Sequence, residues 1–241
     1  MLEIISKNNN KIKEAYALKM KKTRLEKGLF LMEGFKNLEM ALAHGVVKTI
    51  FTSVPLSKVA EDIEVYKVNM DLIKKLASSK NPEGVVFVSE ILKPRKKKNE
   101  YHKNIYLDRI NDPGNLGTII RSAAAFNYDA VILAKGSVDL YNEKVLASTK
   151  GSIFLIDVFY DDLANYKKSH KIIVSTIDKN SSPLSHLPKY DNFVLVVGSE
   201  SHGVSEEYLH LADIKVNIPI DAKIDSLNVA IASGILMYHL K

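Results

Sequence analysis

The 241-residue chain predicts an α/β protein with two parts: a parallel sheet flanked by helices over its C-terminal half, and a smaller α/β domain before it. Three observations carry this. Several apolar runs in the second half, such as Phe193-Val194-Leu195-Val196-Val197, are nearly continuous, as strands become when helices cover both faces of a sheet. Segments of helical period alternate with those runs. A lysine-rich stretch, Lys93-Pro94-Arg95-Lys96-Lys97-Lys98, divides the alternation in two.

In the first part, residues 8–27 read as a basic helix carrying Ile12, Ala15, Tyr16, Leu18 and Met20 among lysines. Phe30-Leu31-Met32 reads as a strand. Gly34 leads into a helix over 35–44, with Leu38, Ala41 and Leu42 at helical spacing. Strands follow at 46–53, 65–68 and 85–88, with a short helix at 71–77. The expected first domain is residues 1–93. Residues 94–102 form a linker, in which a like-charge run without apolar residues reads as a solvated hinge, with direct phosphate contact as the alternative. The second domain is 103–241, with strands at 104–107, 130–133, 153–158, 172–176, 193–197 and 214–218. Its helices are expected at 116–126, 163–169, 206–209 and 226–240, with one more at 142–147.

Composition narrows the class. Hydrophobic residues make up 46% of the chain, enough for a sizeable core. No apolar run approaches the length that spans a bilayer, and the N-terminus lacks a signal peptide's pattern. The chain has no cysteine, so disulfides and thiolate metal sites are excluded. A cytoplasmic protein without membrane or metal partners is expected. Residues 1–100 carry a net charge of +8 and residues 101–241 a net −2. The positive excess therefore sits in the first part, as expected of a polyanion anchor joined to a separate working domain.

Three polar clusters follow apolar strands, where ligands bind on parallel sheets. The first runs from Asp108 through Asn111-Asp112-Pro113-Gly114-Asn115 to Arg121. Asn-Asp-Pro-Gly is turn chemistry, Asn115 is a candidate helix cap, and Arg121 lies one turn beyond Gly117 on the same stripe. The second is Gly198-Ser199-Glu200-Ser201-His202-Gly203, two glycines that let backbone amides approach a ligand. It is neither a phosphate-binding P-loop nor a dinucleotide fingerprint. The third runs from Ile218-Pro219-Ile220 to Asp225-Ser226-Leu227-Asn228-Val229-Ala230, with Asp225 the expected cap of the last helix. Leu227, Ala230, Ile231, Gly234, Ile235 and Tyr238 are its expected packing face, against another helix or a second subunit.

In order and spacing these clusters resemble the three motifs of the SpoU (TrmH-like) RNA ribose methyltransferases of the SPOUT superfamily, over about residues 104–241. The first part is similar to the small L30e-like substrate-binding domain often fused to them, on Arg24, Gly28, Phe30, Glu33 and Gly34. Ser199 and Ser201-His202 depart from the family's common residues.

The resemblance implies a parallel sheet with a C-terminal trefoil knot, S-adenosylmethionine as cofactor, a homodimer, and 2′-O-methylation of RNA, ribosomal RNA above all. It implies that Asn115, Arg121, Ser226 and Asn228 are catalytic. Thr176, Gly198, Ser199, Glu200, Gly203, Ile218, Ser226 and Leu227 would bind cofactor, and Lys22, Arg24, Lys27 and Arg121 would bind RNA. Competing readings are a transfer RNA methyltransferase and a non-catalytic RNA-binding assembly factor. A Rossmann dehydrogenase is disfavoured because no glycine fingerprint follows an early strand.

Overall fold

The computed structural model describes residues 2–56, 59–178 and 181–241. The chain forms two compact units, Met1–Leu92 with Asp139–Phe154, and Lys93–Val138 with Leu155–Lys241.

The first unit is a five-stranded sheet with helices. Strands β1 (Leu2–Ile4), β2 (Leu29–Glu33), β3 (Val47–Thr52), β4 (Glu64–Val68) and β5 (Val85–Glu90) take the order β1-β4-β3-β5-β2. Helices α1 (Asn10–Ala17), α2 (Lys21–Lys27), α3 (Phe35–Ala43) and α4 (Met70–Leu76) belong to it. Ile12, Ala15 and Leu18 pack with Leu72, Ile73 and Leu76 in one core cluster.

The single helix expected over 8–27 is two helices, and Arg24 explains the break. Its Nη1 donates to the carbonyls of Leu18 and Lys19, both at 2.8 Å. These are carbonyls that a continuous helix would have used internally. Gly28 then ends α2 in the left-handed conformation, φ +65°.

Residues 139–154 were expected in the second domain, but they pack with the first unit. This excursion holds α6 (Glu143–Thr149). Tyr141 and Phe154 place their rings 4.8 and 6.5 Å from that of Phe30. The Tyr141 hydroxyl accepts from the amide of Leu92 at 2.8 Å. Arg24, 5% exposed, forms an ion pair with Asp139. Gly151, at φ +86°, passes so close to Met40 that an added Cβ would lie 2.5 Å from the sulfur.

The second unit is built on a seven-stranded sheet, every pairing parallel. Its strands are β6 (Lys103–Asp108), β7 (Ala130–Leu133), β8 (Asp157–Tyr160), β9 (Lys171–Ser175), β10 (Ser182–Pro183), β11 (Phe193–Gly198) and β12 (Ile214–Asn217). The order is β10-β12-β9-β11-β6-β7-β8. Helices α5 (Pro113–Ala125), α7 (Glu206–His210) and α8 (Val229–Leu240) complete it, with α5 packed on α8. All six residues of β11 are buried. The strand expected at 153–158 starts only at Asp157, because a 3-10 turn occupies Ser152–Phe154. The helix expected at 163–169 is a 3-10 turn over Leu163–Tyr166.

The linker is not the solvated hinge expected of it. Arg95 pairs with Asp157 at 2.7 Å, Lys96 with Asp129 at 2.6 Å and Lys98 with Asp161 at 2.5 Å, all inside the second unit. Burial pushes the Asp129 carboxyl up, yet Lys96 and the amides of His102 and Lys103 outweigh it and hold it below the usual carboxylate value.

Removing one member of a buried ion pair strands the other. Arg24→Ala is expected to lower the unfolding free energy by roughly 3 kcal/mol in a denaturant titration. Lys22→Ala, at an exposed position on the same helix, should stay within about 0.5 kcal/mol of the parent.

Candidate functional site

The four strands β12, β9, β11 and β6 lie side by side and parallel, so their C-terminal ends share one edge. That edge brings the predicted positions together. Ile218 follows β12, Thr176 follows β9, Gly198 ends β11, and Asp108 ends β6 in register with Gly198.

The loop after β11 folds back on itself. Ser199 and Gly203 form an isolated bridge, with the Gly203 amide donating to the Ser199 carbonyl at 2.8 Å. A Cβ on Gly198 would lie 2.0 Å from the Gly203 carbonyl carbon, so only glycine fits there. Gly203 adopts φ +65°. Asp108, 1% exposed, anchors the loop's far end. Its carboxylate accepts from the Ser205 amide at 2.7 Å and from Arg109 Nε at 2.9 Å. The sequence reading gave Asp108 no role; its signal was an acidic residue closing an apolar strand.

The turn holds Glu200 where two asparagine side chains reach it. Asn115 Nδ2 donates to Glu200 Oε1 at 2.6 Å. Asn228 Nδ2 donates to the same oxygen at 3.0 Å and to Asn115 Oδ1 at 3.2 Å. One residue from each of the three clusters thus joins a single hydrogen-bonded network.

Both expected helix caps move by three residues, and this frees the network. Asp112, not Asn115, caps α5, accepting from the Asn115 amide at 2.7 Å. The Asn115 side chain is then available for Glu200. Asn228, not Asp225, caps α8, its Oδ1 accepting from Ala230 and Ile231 at 2.9 and 3.3 Å. Its Nδ2 serves Glu200 at the same time.

Other predicted residues fall outside this network. Ser226 lies before α8 and is exposed, with no hydrogen bond among the described residues. Leu227 is half-buried beside Asn228, and Ile218 is half-buried. Thr176 Oγ1 accepts from the Asp178 amide at 3.2 Å. Arg121 is exposed on α5, and among the described residues it makes no ion pair. In the first unit, Lys22 and Lys27 are exposed on α2, and among the described residues Lys22 pairs only with Glu26, at 3.8 Å. Arg24, expected at an RNA surface, is instead buried, its terminal nitrogens engaged by Asp139 and two carbonyls while its Nε has no partner among the described residues.

The expected packing face of α8 is largely its free face. Val229, Ala230, Ser233, Leu236, Met237 and Leu240 are buried. Ile231, Ile235 and Tyr238 are 58%, 40% and 60% exposed, and an added Cβ on Gly234 would meet nothing within 4 Å.

Comparison with known proteins adds an independent line. Residues 102–238 match the SpoU rRNA methylase family, and residues 9–86 match the MRM3-like substrate binding domain. The chain is 35% identical over 250 residues to the 23S rRNA (guanosine(2553)-2'-O)-methyltransferase RlmP of Bacillus subtilis, with 100% of each covered. Its structure is similar to the AdoMet-bound rRNA methyltransferase of Sinorhizobium meliloti, with a TM-score of 0.89, 30% identity, and 99% of this chain and 96% of that one covered. The SpoU methyltransferase AviRb of Streptomyces viridochromogenes, in complex with AdoMet, gives 0.83 at 26% identity, with 97% of each chain covered.

The two duties of Asn228 separate by substitution. Serine caps helices about as well as asparagine, so Asn228→Ser should unfold within about 0.5 kcal/mol of the parent, whereas Asn228→Ala should lose about 1 kcal/mol. Both variants remove the Nδ2 amide that donates to Glu200. Methyl transfer that falls equally in both, while only one loses stability, is the expected pattern.

Proposed function

The chain belongs to the SpoU rRNA methylase family, and from that premise we propose that it transfers a methyl group from S-adenosylmethionine to a ribose 2′-hydroxyl of ribosomal RNA. The observation that carries this is the Asn115–Glu200–Asn228 network, which joins three distant loops at the sheet edge where ligands bind.

The residues at that edge fit the cofactor. Asn217 Oδ1, at the end of β12, and Ser205 Oγ, just past the glycine turn, are buried polar atoms without a hydrogen-bond partner. Ile177, Ile220 and Ile224 leave apolar side chains exposed on the loops after β9 and β12. A ligand with an apolar ring and several polar groups complements such a surface. Thr176, Gly198, Ser199, Glu200, Gly203, Ile218 and Leu227 would hold it. When bound, the cofactor supplies an electrophilic methyl on a sulfonium sulfur.

The chain's own residues supply position and charge. Glu200 is met at Oε1 by two neutral amides, those of Asn115 and Asn228. The free Arg121 guanidinium binds an RNA phosphate and stabilises the alkoxide that develops as the 2′-hydroxyl loses its proton. Arginine itself stays protonated, so a phosphate or solvent accepts that proton. Ser226, exposed beside the cap, contributes a hydroxyl to the same mouth.

The first unit, whose residues 1–92 hold 15 Lys+Arg against 11 Asp+Glu, holds the RNA, with Lys22 and Lys27 among its contacts. The free apolar stripe on α8 is covered by a second copy of the chain, which makes the enzyme a homodimer. The trefoil knot and a cytoplasmic site of action belong to the same proposal and rest on family membership.

Methyl transfer to deproteinised total RNA, followed by alkaline hydrolysis, tests the reaction. A methylated 2′-oxygen cannot attack its phosphate, so one rung of the ladder should disappear. An intact ladder with cofactor bound would favour a non-catalytic assembly factor. Arg121→Ala should abolish the missing rung while leaving cofactor affinity by calorimetry within about two-fold; a matching loss of affinity would overturn its assignment to the RNA side. Ile231→Asp should shift the protein from dimer to monomer in sedimentation, and an unchanged mass in parent and variant, both monomeric, would remove the dimer.

A further inference from the structure

Tyr16 has an unusual setting in the first unit. It lies on α1 with 46% of its surface exposed, so burial does not account for it. Two lysine ammonium groups flank its ring. Lys19 Nζ lies 5.6 Å from the ring centroid, and Lys75 Nζ, from α4, lies 5.3 Å away. Each of these lysines is also tied to the backbone. Lys19 Nζ donates to the Ala77 carbonyl at 2.8 Å, and Lys75 Nζ to the Lys7 carbonyl at 3.4 Å. Cations from the turn after α1 and from α4 therefore hold the ring in one orientation. Lys13 on α1, Lys74 on α4 and Lys7 in the turn before α1 are exposed, and none makes an ion pair among the described residues.

We propose that Tyr16 is a stacking platform for an unpaired base of the RNA, with Lys7, Lys13, Lys74 and Lys75 contacting the flanking phosphates. This rests on the RNA reading above and extends it to a contact that the three sequence clusters do not contain. An exposed aromatic ring set among cations is the chemistry of single-stranded nucleic acid binding: the ring takes a base face of any identity, and the lysines take the backbone. Pre-orienting the ring reduces the ordering cost of binding. A duplex hides its base faces and cannot use the platform.

The chain contains no tryptophan, so Tyr16→Trp installs a single indole at the platform. The full-length variant is titrated with fluorescein-labelled oligoadenylate, following label anisotropy and indole emission together. Both should saturate at the same concentration, with the indole quenched. Tyr16→Ala should weaken binding by about ten-fold, and Tyr16→Phe should stay within about two-fold of the parent.

Anisotropy that rises with unchanged indole emission overturns the platform and leaves the RNA reading standing. Equal quenching by a fully paired RNA duplex also overturns it. An emission shift on vesicles of anionic lipid, with none on RNA, would assign the patch to membrane instead. Parent protein that binds neither oligoadenylate nor ribosomal RNA sinks the platform and the RNA reading together.

Discussion

The parallel register of β6, β11, β9 and β12 is the constraint on which the site depends. Parallel strands place their C-terminal ends on one edge, so residues far apart in the chain become neighbours. The register Gly198↔Asp108 then fixes where the glycine turn begins. From there the backbone has little freedom. Gly203 sits against Gly198, and the buried Asp108 carboxylate ties down the Ser205 amide. Glu200 is held between two fixed points, so the asparagine amides meet a carboxylate already in place.

Much of this was legible in the sequence. Apolar runs marked the strands of the second unit, and turn chemistry with paired glycines marked their C-terminal loops. Asn115, Glu200 and Asn228 each stand in a polar cluster after a strand, and the resemblance to the SpoU family is what named them together as candidate site residues. What was not legible has a physical reason in each case. Asp112 and Asn115 are both good caps three residues apart, as are Asp225 and Asn228, and local preference alone cannot rank them. Strands β1 and β10, of three and two residues, are too short to show a period. The 153–158 reading failed because Ile153 and Phe154 are apolar for a different partner: they belong to the excursion that packs on Phe30.

Arg24 shows how a resemblance can be right about a position and misleading about its use. The residue fits the pattern of the substrate-binding domain, and an arginine in a basic segment invites a phosphate contact. In the structure its guanidinium is spent on two helix-end carbonyls and on Asp139, from a segment more than a hundred residues away. A buried, planar, always-charged group suits that task better than lysine would. The exposed lysines around it carry no such structural duty. The basic excess of the first part is therefore largely surface charge, and surface charge is what attracts a polyanion over distance.

The same division of charge applies at the strand ends. A carboxylate can be satisfied by a cation or by neutral donors, and the choice changes what the site can bind. Had Arg121 paired with Glu200, both charges would have been consumed. Two asparagine amides instead satisfy Glu200 without neutralising it, and Arg121 remains exposed and unpaired among the described residues. On the proposed reading this leaves one unit of negative charge toward a cationic sulfonium and one unit of positive charge toward RNA. Opposite ligands are then attracted to one mouth without either charge being cancelled in advance. An aspartate at either asparagine position would break this arrangement twice, by removing a donor and by setting a second carboxylate beside the first.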